Sequence, residues 1–398
     1  MVSKTRLKRG YTEIRQPCCP ERQTGIMIKQ YRLRNYNFRL IAYVVILCII
    51  GILVIGSAKE SVQDKQIYGF IAGLVIMVIV SLIDYSHVLK YWFFIYLVII
   101  GLLVCVLLFG ESHGGSTRWI NIGFQFQPSE ICKILLILFF SAFFTRYRDK
   151  LGTWKMFFIS VALAAVPMAL ILAEPDLSTT IILVLIFIAM IFVAGLSYKI
   201  IGRILLIAIP VAVIFFILIM KEALPLQDYQ YDRIMAWIDP ETYSDDAYQQ
   251  QNSIMAIGSG MIWGKGLNNN SIASLKNGNF IVEPQTDFIF AVLGEETGFV
   301  GCITVIILLF LVVLECVLVG ARAKDLSGKL ICCGVASLIG FQSFVNICVA
   351  TGLMPNTGIP LPFISYGLTS LISLFIGIGF VLNVGLQPRK YGSGEMLE

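Results

Sequence analysis

Charge is scarce in this chain: 14% of its 398 residues are Asp, Glu, Lys or Arg, against 57% that are hydrophobic. That is too little charge to clothe soluble domains, so the two or three that the length alone would suggest are excluded. Histidine occurs only at 87 and 113. Both stand in connecting segments and read as solvated loop residues. Beyond Cys18 and Cys19 in the N-terminal tail, every cysteine lies inside an apolar run, and no loop holds a pair at metal or redox spacing. A zinc site and a disulfide framework are therefore excluded, and the thiols read as small buried hydrophobes. The first 38 residues are basic and polar with no short apolar core and small-residue cleavage site, so no cleavable signal peptide is expected. No surface interleaves basic and aromatic residues as nucleic-acid binding would require.

What the chain has is apolar length. Its mean hydropathy is +0.82, and ten runs read as membrane-spanning helices: 39–58, 66–84, 91–110, 128–145, 154–173, 177–196, 200–220, 286–319, 330–352 and 366–386. The fold class is an all-α polytopic membrane protein. A basic cytoplasmic tail, 1–38, precedes a ten-helix domain, 39–386, and a short cytoplasmic tail, 387–398, follows. The run 286–319 is longer than a bilayer needs, so part of it should project or line a cavity. Lys and Arg crowd the tail and alternate loops (Lys90; Arg146, Arg148 and Lys150; Lys199 and Arg203; Arg322, Lys324 and Lys329), which puts both termini inside.

This orientation exposes four segments outside: 114–133, the turn 174–176, the long loop 221–285, and 352–367. A connection as long as 221–285 is uncommon unless functional, and its apolar and aromatic content predicts amphipathic helices folded onto the membrane surface. Within it, GSGMIWGKG has the wrong spacing for a phosphate-binding loop, with Gly266 where Ser or Thr is needed. In QPSEICK, Pro128 suits a helix start and Glu130 its first turn. Lys133 follows on the same face. The two form either a structural ion pair or part of a cavity wall. Glu174 and Asp176 flank Pro175 and read either as a polar turn, with Asp176 capping the next helix, or as site acids. Arg118 beside Trp119 suits an anionic headgroup next to a sugar or lipid, or an interfacial anchor.

In VEPQTDFIFAVLGEE, Glu283 and Asp287 are four residues apart, and Thr286 can cap a helix that Asp287 begins. Glu295 and Glu296 lie deeper, where each charge in lipid would cost about 2.5–3.5 kcal/mol. An outward water-filled cavity removes that penalty, with Lys133 and Arg118 as the candidate counter-charges. A carboxylate at such a mouth can deprotonate a sugar hydroxyl, and cations can stabilise a departing pyrophosphate. That chemistry fits glycosyl transfer from a lipid-linked sugar.

STRWINIG…QPSEICK, AEPDLSTT, AIGSGMIWGKGL, TDFIFAVLGEETGFVG and GIPLPFISYG resemble, in order and spacing, the motifs of the SEDS family (shape, elongation, division and sporulation), the RodA/FtsW group. YRLRNYNFRL looks more like its RodA branch. The resemblance covers 31–390 and implies a ten-span peptidoglycan glycosyltransferase that polymerises lipid II on the outer face of the bacterial cytoplasmic membrane. Asp287 is then the catalytic base. It takes the proton of the acceptor GlcNAc 4-hydroxyl as that oxygen attacks C1 of the donor MurNAc with inversion, and undecaprenyl pyrophosphate leaves. Arg118, Lys133 or a divalent cation would assist that departure. Ser365 and Tyr366 fall in the family's SYGGSS motif, which here reads Ser365-Tyr366-Gly367-Leu368-Thr369-Ser370. Pro-Glu-x-His before TDF is Glu283-Pro284-Gln285 here, and the EPDLGT glycine is Ser178. The resemblance implies a class B penicillin-binding protein as partner; this chain itself has no Ser-x-x-Lys and so no candidate transpeptidase nucleophile of that type. Two other readings remain: a lipid II flippase or transporter, and a non-catalytic scaffold of a wall-synthesis complex.

Overall fold

The computed structural model describes residues 36–113, 116–121, 125–197, 228–267 and 284–387, with isolated positions between 200 and 218. The two tails, most of the run 200–220, and Glu283 lie outside the described residues. The helices are α1 Phe38–Ala58, α2 Gln63–Leu82, α3 Tyr85–Lys90, α4 Trp92–Phe109, α5 Pro128–Arg146, α6 Trp154–Ala173, α7 Leu177–Val193, α8 Asp228–Ile238, α9 Ser244–Ser259, α10 Ile289–Ala321, α11 Leu326–Ala350 and α12 Leu368–Leu386. Among the described residues, eight helices are long and apolar enough to cross a membrane, and the apolar α7 is shorter, at 17 residues. Each matches an apolar run to within a few residues. In lipid a backbone must satisfy its own hydrogen bonds, so an uninterrupted apolar run has little choice but helix.

Burial sorts the helices into two layers. The most apolar windows of α5 and α12 are 78% buried and that of α11 is 67%, whereas α4 is 22% and α2 and α6 are 28%. The first three therefore form the centre. The others present side chains such as Phe93, Phe94, Leu108 and Phe158 outward. Among the described cysteines, all are free and most are buried, but Cys105 faces outward and Cys333 is half-buried. A small antiparallel sheet, β1 Glu111–His113, β2 Ser116–Asn121 and β3 Gln125–Phe126, links α4 to α5.

The long helix α10 is broken. Gly298 takes φ 67° and ψ −164°, a region open in practice only to glycine. An unbroken helix would bond Phe299 N–H to the Glu295 carbonyl and Val300 N–H to that of Glu296. Instead Phe299 N donates to Met261 O at 2.9 Å and Val300 N to Ile262 O at 3.2 Å, while Lys265 N and Gly266 N donate to the Glu295 and Glu296 carbonyls at 3.0 Å. The segment GSGMIWGKG is thus a splint across the break. Gly264, at φ 78°, is needed for its fit, because a Cβ there would lie 2.1 Å from the Glu296 carbonyl oxygen.

The splint holds one of the four acids in VEPQTDFIFAVLGEE, and α1 holds another. Lys265 Nζ donates to the Glu295 carboxylate at 2.7 Å, and Ser57 Oγ, in the last turn of α1, donates to that of Glu296. The expected counter-charges, Lys133 and Arg118, are not the partners. Lys265 and Ser57 are, and they lie far away in sequence.

The same loop closes the end of α11. Gln250 Nε2 donates to Val349 O at 2.8 Å and to Met354 O at 2.7 Å, Ser253 Oγ donates to Ala350 O at 2.8 Å, and Trp237 Nε1 donates to Gly352 O at 2.9 Å. A helix C-terminus leaves its last carbonyls without intrahelical donors, and these side chains supply donors there.

Candidate active site

The sheet end of the bundle holds a cavity of about 230 Å³ whose lining includes Arg118, Trp119, Glu130, Lys133, Asp176, Arg233, Asp287 and Tyr366. A larger cavity, about 640 Å³, lies between α7, α10 and α11, but its lining is apolar apart from Lys329, Cys333 and Ser337. Of the two, the smaller is the one lined by both acids and bases.

Asp287 is half-buried in the turn that precedes α10. The helix begins at Ile289 and its N-cap, Phe288, makes no side-chain bond, so the expected Thr286 cap is not formed. Backbone clamps hold the turn instead. Asn346 Nδ2 donates at 2.7 Å to the carbonyls of both Asp287 and Ile359. Ser365 Oγ donates to Thr286 O at 2.7 Å and accepts from Leu361 N at 2.6 Å, and Tyr366 N donates to Gln285 O at 2.9 Å. The segment 359–366 therefore presents Asp287 to the cavity. Ser365 serves from behind the wall, whereas Tyr366 is part of it. Gly358 approaches so closely that a Cβ there would stand 3.3 Å from Asp287 Oδ2.

Pro128 opens α5, and Glu130 and Lys133 sit one turn apart, each 3% exposed. Lys133 Nζ donates to Glu130 Oε1 at 2.7 Å and to Gln342 Oε1 at 3.3 Å, and Gln342 Nε2 donates to Pro360 O at 2.9 Å. The pair is both a buried ion pair and a piece of cavity wall. Lys133→Ala would strand the buried Glu130 carboxylate and is expected to cost about 3–5 kcal/mol. Lys133→Met with Glu130→Gln should recover much of that stability without restoring the cavity charge. Thermal unfolding in detergent, read beside activity, checks both statements.

Asp176 accepts from Thr179 N at 3.0 Å and from Thr179 Oγ1 at 2.8 Å, capping α7. Arg118, on β2, donates to the Pro175 carbonyl and brings Nε to 3.9 Å from the Asp176 carboxylate. Glu174 does not line the cavity. It is fully buried, and neither carboxylate oxygen has a hydrogen-bond partner among the described residues. Burial, reinforced by the Asp176 charge and opposed by Arg118, pushes its pKa up to about 8. The folded chain therefore keeps a proton there that the unfolded chain has already lost near neutrality. Its contribution to stability should fall as pH rises from about 4.5 to about 8 and level off above that. Glu174→Gln is expected to flatten this part of the unfolding-temperature profile. A variant profile that still follows the wild type would show that Glu174 is ionised in the fold.

Glu295 and Glu296 sit at the splint rather than in the cavity wall. Gln342, Asn346 and Arg233 were missed in the sequence. The first two left a signal: they are polar, four residues apart, inside an apolar run, where only an interior face suits them. Arg233 left none beyond its charge on an amphipathic stretch. Among the described residues no group of three or more His, Cys, Asp or Glu is placed to hold a metal ion.

A family model described as cell cycle protein, FtsW/RodA/SpoVE, matches residues 37–390. The peptidoglycan glycosyltransferase MrdB of Escherichia coli (strain K12) is 35% identical over 345 residues, covering 85% of this chain and 90% of the relative. The probable peptidoglycan glycosyltransferase FtsW of Geobacter sp. (strain M18) is 32% identical over 375 residues, covering 90% and 99%. Among solved structures, a chain of a peptidoglycan synthase complex that coordinates polymerization and crosslinking superposes with a TM-score of 0.75 at 26% identity, covering 88% of this chain and 97% of that one. The rod shape determining protein RodA of Thermus thermophilus shares the fold, with a TM-score of 0.65 at 24% identity over 89% and 98% of the two chains.

Proposed function

The chain belongs to the FtsW/RodA/SpoVE family, and from that premise we infer that it is a multi-pass membrane glycosyltransferase that polymerises lipid II into peptidoglycan strands at the outer face of the bacterial cytoplasmic membrane. The observation that carries the chemistry is the convergence of Asp287 with three cations, Arg118, Lys133 and Arg233, on one cavity. In this reading Asp287 accepts the proton of the acceptor 4-hydroxyl, the freed oxygen attacks the anomeric carbon of the donor, and the cations receive the departing pyrophosphate. A volume of about 230 Å³ is below the roughly 300–1,000 Å³ of sites that enclose whole drug-sized ligands. The cavity therefore takes the reacting ends, while the lipids remain in the bilayer.

The charge bias of the loops supports an outward cavity. The likeness to a synthase complex that couples polymerization to crosslinking supports a penicillin-binding transpeptidase as partner. The test is polymerisation of labelled lipid II by the purified protein, alone and with its transpeptidase, with Asp287→Ala alongside. Polymer from the wild type and none from the variant is the expected result. Lipid II translocation in vesicles without polymer, even with the partner present, would replace the enzyme with a flippase.

A further inference from the structure

Gln342 and Asn346 are four residues apart and share one face of α11. They are 0% and 1% exposed, where a polar amide is costly unless hydrogen-bonded. Asn346 Nδ2 grips two backbone carbonyls, those of Asp287 and Ile359, both at 2.7 Å. Gln342 has partners of two kinds. Its Oε1 accepts from Lys133 Nζ at 3.3 Å, and its Nε2 donates to Pro360 O at 2.9 Å. Ile359 and Pro360 are consecutive. One helix face therefore holds, around one dipeptide, both the turn that carries Asp287 and the ammonium of Lys133. Asp287 and Lys133 both line the cavity.

The partners dictate what can stand at 342. An ammonium only donates, and a backbone carbonyl only accepts. The side chain between them must be long, and must carry an acceptor and a donor on one end group. Glutamine does. An ionised glutamate would offer Lys133 an oxygen but Pro360 no N–H, and methionine, of similar length, would offer neither. The other partner of Lys133 is Glu130 Oε1, at 2.7 Å and one turn away on the same helix. That contact alone lets the nitrogen swing beside α5, and a second one on a different helix fixes it. Of the three donors of an ammonium, two are then engaged and the third is left for the cavity.

Resting on the glycosyltransferase reading, we propose that Gln342 is a positioning residue: it fixes the Lys133 ammonium relative to the turn that carries Asp287, so that leaving-group cation and base meet the donor as one unit. Gln342 acts through Lys133, from behind the cavity wall. Groups tied to a shared frame keep their spacing when the helices around them shift, and a misplacement of about 1 Å can cost about 10²-fold in rate.

The experiment is a mutant cycle in the full-length protein: wild type, Gln342→Met, the paired variant Lys133→Met with Glu130→Gln, and the three substitutions together. Each is measured for lipid II polymerisation with its transpeptidase, and for binding of undecaprenyl pyrophosphate, which needs no turnover. Gln342→Met should lower kcat by about 10- to 100-fold and weaken binding by roughly 10-fold. The paired variant should also bind more weakly, and adding Gln342→Met to it should change nothing further, because no ammonium remains to be held. Should Gln342→Met fail to fold, Gln342→Asn, whose amide is one methylene too short to reach both partners, takes its place with the same expectation. An equal loss of binding in both backgrounds would make Gln342 a purely structural residue. Wild-type kcat and binding in Gln342→Met would leave it no part in the site, and wild-type binding in the paired variant would take Lys133 off the pyrophosphate. Each of these overturns the inference and leaves the glycosyltransferase reading standing. A wild type that makes no polymer even with its transpeptidase overturns both.

Discussion

Asp287→Asn is expected to abolish polymerisation while leaving the fold intact. A positioned general base contributes about 10²–10⁴ in rate, and an amide of the same shape cannot accept the acceptor proton. The stability half of the expectation comes from how the turn is held. Asn346 grips the Asp287 carbonyl, Ser365 the Thr286 carbonyl and Tyr366 N–H the Gln285 carbonyl, all through the backbone of residues 285–287. None of these bonds needs the carboxylate. Lipid II polymerisation beside thermal unfolding in detergent decides the matter. An Asn variant that polymerises at the wild-type rate would strip Asp287 of the base role, and one that unfolds early would show that the carboxylate helps build the turn. Asp287→Glu should fare little better than Asn. Its extra methylene lengthens the side chain at a place where Gly358 already packs so closely that a Cβ there would lie 3.3 Å from Oδ2.

The spans were legible because lipid leaves an apolar run one solution, and the punctuation around them is chemical: Pro128 opens α5 and Asp176 caps α7. Arg118, Glu130, Lys133, Asp176 and Asp287, which line one cavity, stood out in the sequence as charges at or near the ends of apolar runs, where each also had a purely structural reading. What escaped was everything that depends on a partner distant in sequence. Glu295 and Glu296 look like cavity acids until Lys265 and Ser57 are seen against them. Ser365 looks like a lining residue until its hydroxyl is found bridging Leu361 and Thr286. Glu174 is no nearer the cavity than the turn's backbone allows. The break in α10 left no periodicity signal either, because Glu-Thr-Gly reads as ordinary helix and the interruption exists only where residues 261–266 supply the missing backbone partners.

That break carries the second large expectation. Gly298→Ala should destabilise the α10 break and its splint severely and take activity with it. A residue with a side chain held at φ 67°, ψ −164° costs on the order of 1–3 kcal/mol in strain alone. Its Cβ would also lie 2.4 Å from Gly264 N and 2.6 Å from Ile262 O. Both are backbone atoms that cannot rotate away, so the splint must lift. Lifting it opens the four backbone bonds of Phe299, Val300, Lys265 and Gly266 and pulls Lys265 from the buried Glu295 carboxylate. Straightening α10 instead would close its two helical bonds, but it would re-aim residues 289–297 and with them the turn that carries Asp287. Gly258→Ala is the matched control. That glycine lies in α9 with nothing within 4 Å of an added Cβ, and alanine there should stabilise the helix by about 0.5–1 kcal/mol. Opposite signs at 258 and 298, with faster amide exchange at Phe299 and Val300 in Gly298→Ala alone, would establish the splint as the element that sets the base. A Gly298→Ala protein that keeps wild-type stability and polymerisation would mean that the helix tolerates closure, and that the loop and Asp287 are positioned independently.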